Sequence, residues 1–217
     1  MSEPASGAQI AQPYQGWNAY TADIQETTYT KFYANWNVPA APANPDSSSV
    51  LFFFTGLQNA GGNPTIDIIQ PVLQFGDRSA AGGCLCWAIA SWYVPTSGRS
   101  FVSPLKRVST PSSIFGNMTQ TGSQCWYISA TDGSVVTPLS VCQPTLVSQP
   151  QAFVTEEAYA QSCADYPPSS TSLAFKNIQL WGASGSPVTP SWRTIYGTPN
   201  CNSVVTVNSP SQVTFSW

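Results

Sequence analysis

Residues 65–76 read TIDIIQPVLQFG. Isoleucine, valine, leucine and phenylalanine crowd into a strand-length segment, which predicts a buried β-strand. Side chains alternate across a strand, so Gln70 and Gln74 share one face and Asp67 lies on the other. A buried primary amide brings two donors and an acceptor into surroundings where unpaired polar groups are costly. The two glutamines therefore need partners or a task.

The neighbouring segments follow the same pattern. VLFFFTGLQ at 50–58 predicts a strand buried on both faces, and NAGGNP at 59–64 a turn into the next. CLCWAIASWYVPTSG at 84–98 is a dense strand ended by a Pro/Gly turn. QGWNAYTADIQETTYTKFYANWNVP (15–39) alternates aromatic and polar residues as a pair of strands would, closed by the Pro/Ser loop at 39–49. Shorter strands are expected at 112–120, 124–130 and 134–142, the last two joined at Thr131-Asp132-Gly133. In QAFVTEEAYAQSC (151–163), Glu156, Glu157, Ala158 and Ala160 favour helix, whereas Phe153, Val154, Thr155 and Tyr159 favour strand. Strands at 173–182 and within 202–217 complete the chain. Short strands at this spacing, with almost no helical periodicity, predict an all-β fold: a two-sheet antiparallel β-sandwich or jelly roll. Residues 1–13 read as a flexible lead-in to a single domain over 14–217.

Composition narrows the function. Only 8% of the 217 residues are charged and 42% are hydrophobic, with 19 prolines and 15 glycines, as expected of strands joined by neutral turns. A net charge of −3 with seven scattered Lys and Arg makes no stripe for a phosphate backbone, so no nucleic-acid partner is expected. No apolar run reaches the roughly 18 residues of a membrane helix. The start, MSEPASGAQIAQPYQG, has neither the basic nor the apolar region of a classical signal peptide. Six cysteines, an even number, are compatible with disulfides in an oxidising compartment. Cys84 and Cys86, one residue apart, are expected to find separate partners. The single sequon, Asn117-Met118-Thr119, adds support for secretion.

There is no histidine. That excludes Ser-His-Asp and Cys-His mechanisms, HExxH zinc sites and His-ligated metals. CLC with no second close pair has the wrong spacing for zinc, so no metal is expected. A hydrolase built on this chain must draw on carboxylates, amides, tyrosine or lysine. Glu3, Asp23, Glu26, Asp46, Asp77 and Asp132 fall in tails, loops or near turns and read as solvated, and Asp165 as a turn residue. Glu156 and Glu157 stand out, adjacent in an otherwise uncharged segment, and in a strand one of them must face inward. A desolvated carboxyl has a raised pKa suited to general acid/base work. An amide such as that of Gln70 can stabilise an oxyanion. Of Trp17, Trp36, Trp87 and Trp92, most are expected in the core and one along a groove.

GWNAY (16–20), FYANWNVP (32–39), GLQ (56–58), IIQPVLQF (68–75), SWYVP (91–95) and AFVTEEAY (152–159) resemble, in order, the landmarks of the eqolisin-type glutamic peptidases. Those are an N-W-x-G start, T-W-x-V-P, G-I-D, I-L-Q-T-G-V-D-F, W-Y-E-W-Y-P and A-E-W-I-V-E. The similarity covers about residues 14–160, and the neprosin-like glutamic peptidases resemble the chain more distantly. The resemblance implies a secreted, concanavalin A-like sandwich acting on polypeptides without a cofactor. A Glu activates water and then protonates the leaving amine, while a Gln amide orients the water and stabilises the oxyanion. Ungapped matching puts that amide on Gln70. It puts the carboxylate on Glu157, where a one-residue slip chooses Glu156.

Gln58, Gln74 and Ser91 take positions that are acidic in the family. In the family such an acidic cluster keeps the catalytic pair protonated at low pH, because like charges raise carboxyl pKa values; its replacement by neutral groups leaves two outcomes, an optimum nearer neutral pH or a fold and cleft kept without turnover. Trp17, Gln58, Gln74, Ser91 and Trp92 are the expected substrate-binding residues. A second function class, a non-catalytic carbohydrate-binding sandwich, would use Gln58, Gln70, Gln74 and Trp92 to hydrogen-bond and stack on a glycan.

Overall fold

The computed structural model describes residues 16–59, 67–77, 79, 81–160, 162–197 and 201–217; the lead-in expected at 1–13 and most of the turn at 59–64 lie outside them. Among the described residues sixteen strands follow one another: β1 (Trp17–Ile24), β2 (Tyr29–Asn37), β3 (Val50–Gln58), β4 (Ile68–Gly76), β5 (Cys84–Val94), β6 (Phe101–Val102), β7 (Lys106–Arg107), β8 (Ser113–Gly122), β9 (Cys125–Thr131), β10 (Leu139–Cys142), β11 (Gln151–Tyr159), β12 (Ser172–Gly182), β13 (Pro187–Val188), β14 (Arg193–Tyr196), β15 (Val204–Ser209) and β16 (Gln212–Ser216). Two short 3-10 turns, at Pro144–Val147 and Cys163–Asp165, are the described helical elements. The segment at 151–159 is thus strand, its β-branched and aromatic residues prevailing in a doubly buried position.

The strands form two antiparallel sheets. The first runs β14-β1-β11-β3-β4-β5-β6, with β7 also on β5, and the second β10-β9-β8-β2-β12-β16-β15, with β13 also on β12. The two-sheet antiparallel sandwich expected from the alternation is what forms. β1 and β2, expected as a pair, instead belong to opposite sheets. Both have one face to bury against the other sheet, and alternation alone does not say which strand lies alongside.

The main core fills the space between the sheets, with Leu51, Phe53 and Leu57 of β3, Ile69 and Leu73 of β4 and Val154 of β11 meeting Phe32 and Trp36 of β2, Met118 of β8 and Phe215 of β16. A Cβ at Gly116 of β8 would sit 2.4 Å from the Trp36 ring and 3.0 Å from Pro71 of the opposite sheet. A second apolar cluster covers the outer face of the first sheet: Trp17, Tyr20, Phe54, Ile68, Val72, Trp92 and Phe153. This double burial explains why β3 and β4 read as continuous apolar runs.

Two carboxylates tie the layers together. Asp67, just before β4, accepts hydrogen bonds from Tyr93 Oη (2.7 Å), the Thr96 amide (2.9 Å) and the Thr145 hydroxyl. Asp23, expected to be solvated, is buried, accepting from the Tyr29 hydroxyl, Gln25 Nε2 (2.9 Å) and the Ser191 amide (3.1 Å). Besides Gln25, its donors come from β2 and from the segment before β14, contacts that neighbouring residues do not reveal. Disulfides join Cys125 to Cys142, Cys163 to Cys201, and Cys84 to Cys86. The last corrects the expectation of separate partners: the two Cα atoms are 5.1 Å apart, closer than the roughly 6.6 Å that two residues span in an extended strand.

Candidate active site

The outer face of the first sheet carries a cavity of about 380 Å³. Alternation in β11 sends Ala152, Val154, Glu156 and Ala158 toward the sheet–sheet core and turns Phe153, Glu157 and Tyr159 outward. In β4, Ile69, Leu73 and Phe75 enter that core while Ile68, Gln70 and Val72 turn outward. Gln70 and Glu157 both line the cavity, with Phe52, Tyr159 and Trp92. β3 lies between their strands: Glu157 is paired with Phe52, which is paired with Gln74, and Gln70 stands four residues further along β4 opposite Trp92 of β5.

Glu157 is partly exposed to the cavity yet packed deep among protein atoms, and desolvation pushes its carboxyl up to about 7. The Tyr159 hydroxyl, donating to Oε1 at 2.7 Å, opposes that shift. The Trp17 indole opposes it too from nearby, although its N–H closes no regular hydrogen bond. Glu156, one residue earlier, is fully buried on the other face, where Ser203 Oγ donates to Oε1 at 2.6 Å and Trp217 Nε1 to Oε2 at 2.7 Å. Its pKa is also raised to about 7 by desolvation, with both hydrogen bonds acting against the rise. Of the adjacent pair, Glu157 is the cavity residue and Glu156 the core residue.

Gln70 is 7% exposed, with its Oε1 buried and unpartnered. Its amide N–H groups donate to no described residue, which leaves them for whatever occupies the cavity. Trp92 lines the cavity and meets the edge of Phe52 at 6.0 Å between ring centroids. Trp17 packs edge-on against Tyr20, Phe54 and Phe153 beside Glu157, whereas Trp36 and Trp87 lie between the sheets.

The other expected contacts are elsewhere. Gln74, on the same face as Gln70, is a clasp for the loop after β4. Its Nε2 donates to Gly76 O (3.1 Å) and Gly82 O (2.7 Å), and its Oε1 accepts from Ser79 Oγ (2.9 Å). Gly83 permits the closure, since a Cβ there would lie 2.8 Å from Gln74 Nε2 and 2.1 Å from Gly76 O. Ser91 faces the core, its Oγ donating to Thr137 O at 2.5 Å. Gln58 is buried beside Gln151, the two paired across β3 and β11, with Gln58 Nε2 and Gln151 Oε1 both unpartnered. Tyr159 was missed by the sequence reading, though its place two residues beyond Glu157 on one strand face was a signal for it. No group of three or more metal-ligating side chains occurs among the described residues.

Similar folds occur among solved structures. Scytalidoglutamic peptidase, solved with a peptide-based transition-state analogue, superposes with a TM-score of 0.63 at 15% identity, covering 93% of this chain and 98% of that one. SCP-B, described as a member of the eqolisin family of peptidases and solved with the tripeptide Ala-Ile-His, gives 0.62 at 14% identity over 94% and 98%. Aspergilloglutamic peptidase from Aspergillus niger gives 0.53 at 15% identity over 77% and 98%. No family model and no curated protein sequence matches the chain. At this identity the likeness establishes a shared fold, and it points to the same proteins as the sequence landmarks.

Proposed function

We propose that this chain is a secreted glutamic-type endopeptidase. Glu157 takes a proton from water as it attacks a peptide carbonyl and later delivers it to the leaving amine. The amide N–H groups of Gln70 receive the oxyanion that forms. The observation that carries the reading is that Gln70 and Glu157 line one cavity, from strands on either side of β3. A carboxyl with a pKa of about 7 is divided between base and acid forms near neutrality, which suits a group that must serve as both. Three disulfides support an oxidising destination. The carbohydrate-binding alternative loses two of its three amides, because Gln58 is buried and Gln74 is committed to a loop.

The test is digestion of an unfolded protein across pH 2–8 by wild type, Glu157→Gln and Gln70→Ala, with serine and cysteine reagents and chelators as controls. Cleavage is expected to resist the reagents and to vanish in the Glu157 variant. Wild-type cleavage by both variants would end the proposal.

A further inference from the structure

The sequon has no part in the proposed chemistry, and its position in the fold gives it another use. Asn117 lies in β8, paired with Tyr33 of β2 and Ser129 of β9. Its strand neighbours Ile114, Met118 and, across the ladder, Phe32 and Trp36 point into the core, so Phe115, Asn117 and Thr119 share the outer face of the second sheet. Asn117 Oδ1 accepts a hydrogen bond from Thr119 Oγ1 at 2.8 Å. The Nδ2 atom makes no hydrogen bond to a described residue and is not among the buried unpartnered atoms, so it is open to solvent.

Around Asn117 the face is aromatic. Tyr33 has Phe115 on one side at 5.7 Å and Trp181 on the other at 5.0 Å between ring centroids, a strip crossing β8, β2 and β12. Phe115 is 38% exposed, and Lys31, 5.8 Å from the Trp181 ring, is the cation beside the strip. Rings flanked by amides offer stacking faces and hydrogen-bond partners without a carboxylate, which is the surface chemistry a neutral saccharide fits.

We propose that Asn117 is an N-glycosylation site whose first sugar units lie along the Tyr33–Phe115–Trp181 strip. In the transfer, Nδ2 attacks the anomeric carbon of an oligosaccharide carried on polyprenyl pyrophosphate. An N–C bond forms, the C–O bond to pyrophosphate breaks, polyprenyl pyrophosphate leaves, and the amide gives up one proton. The attached chain then covers the apolar strip on the side of the sandwich away from the cleft. Folding places acceptor and platform together, because one strand alternation sets Phe115, Asn117 and Thr119 on the same side.

The experiment is secretion of the chain, fused to a leader, from a eukaryotic host, with intact-mass measurement before and after peptide-N-glycosidase. Wild type is expected to lose a glycan and leave an aspartate at 117, whereas Asn117→Gln and Thr119→Ala carry none. The glycosylated form is expected to have a folding equilibrium about five-fold more favourable than the enzymatically deglycosylated form. That gain is expected to disappear in Tyr33→Ser, which keeps the acceptor. An unmodified wild-type chain overturns the site. A glycan whose stabilising effect is absent, or unchanged in Tyr33→Ser, overturns its placement on the strip.

Discussion

Replacing Glu156 by glutamine isolates the cost of a core carboxylate. The wild-type group is fully buried and meets two donors, Ser203 Oγ and Trp217 Nε1. Its folded pKa of about 7 exceeds the ordinary value of 4.5 because burial penalises the charged form. The folded state therefore holds a proton that the unfolded chain has released, and stability falls as pH rises from about 4.5 to about 7, then levels off. The difference corresponds to about 3 kcal/mol, a large part of the roughly 5–15 kcal/mol that stabilises a domain. Glutamine keeps the shape and stays neutral. Its oxygen can accept from Trp217, and its NH2 can donate to the Ser203 oxygen, as a protonated Glu156 would. Urea denaturation followed by tryptophan fluorescence should show wild type and Glu156→Gln within about 1 kcal/mol at pH 5. At pH 8 the variant should be more stable by about 3 kcal/mol. An equal difference at both pH values would refute the argument, since it would mean that Glu156 does not change its charge in that window.

Two further outcomes are expected. Tyr159→Phe keeps the ring against Phe52 but removes the donor that lowers the Glu157 pKa. With Glu157 as general base, the acid limb of kcat/KM should move to higher pH in a rate profile while KM changes little, and an unmoved limb would count against that role. Gly116→Ala should cost about 1–3 kcal/mol by forcing Trp36 away from β8, measured as a fall in the denaturation midpoint with unchanged slope.

How much of this was legible beforehand depends on the range of the interaction. Apolar runs and side-chain alternation are properties of neighbouring residues, so the runs exposed the strands at 50–58, 68–76 and 84–94 and the alternation the shared face of Gln70 and Gln74. Sheet membership is not local, which is why β1 and β2 read as partners although they end in opposite layers. The carboxylates show the same limit. Asp23 looked solvated because its donors arrive from β2 and from Ser191. The adjacent Glu156 and Glu157 could be separated only once the pairing of β11 with β3 fixed which faced the cavity. Gln74 kept its predicted face yet gained a loop to hold, since the closure at Gly82 and Gly83 brings its partners from residues beyond the strand.

The adjacency of the two glutamates also bears on how β11 finds its place. A slip of one residue against β3 would turn Glu156 to the outer face, away from Ser203 and Trp217, and Glu157 inward, out of the cavity. It would also push Phe153 inward and turn Val154 out of the core. Each misalignment thus carries its own electrostatic and packing penalty. The strand proofreads its pairing, and the same two carboxyls that differ in task act together as its register mark.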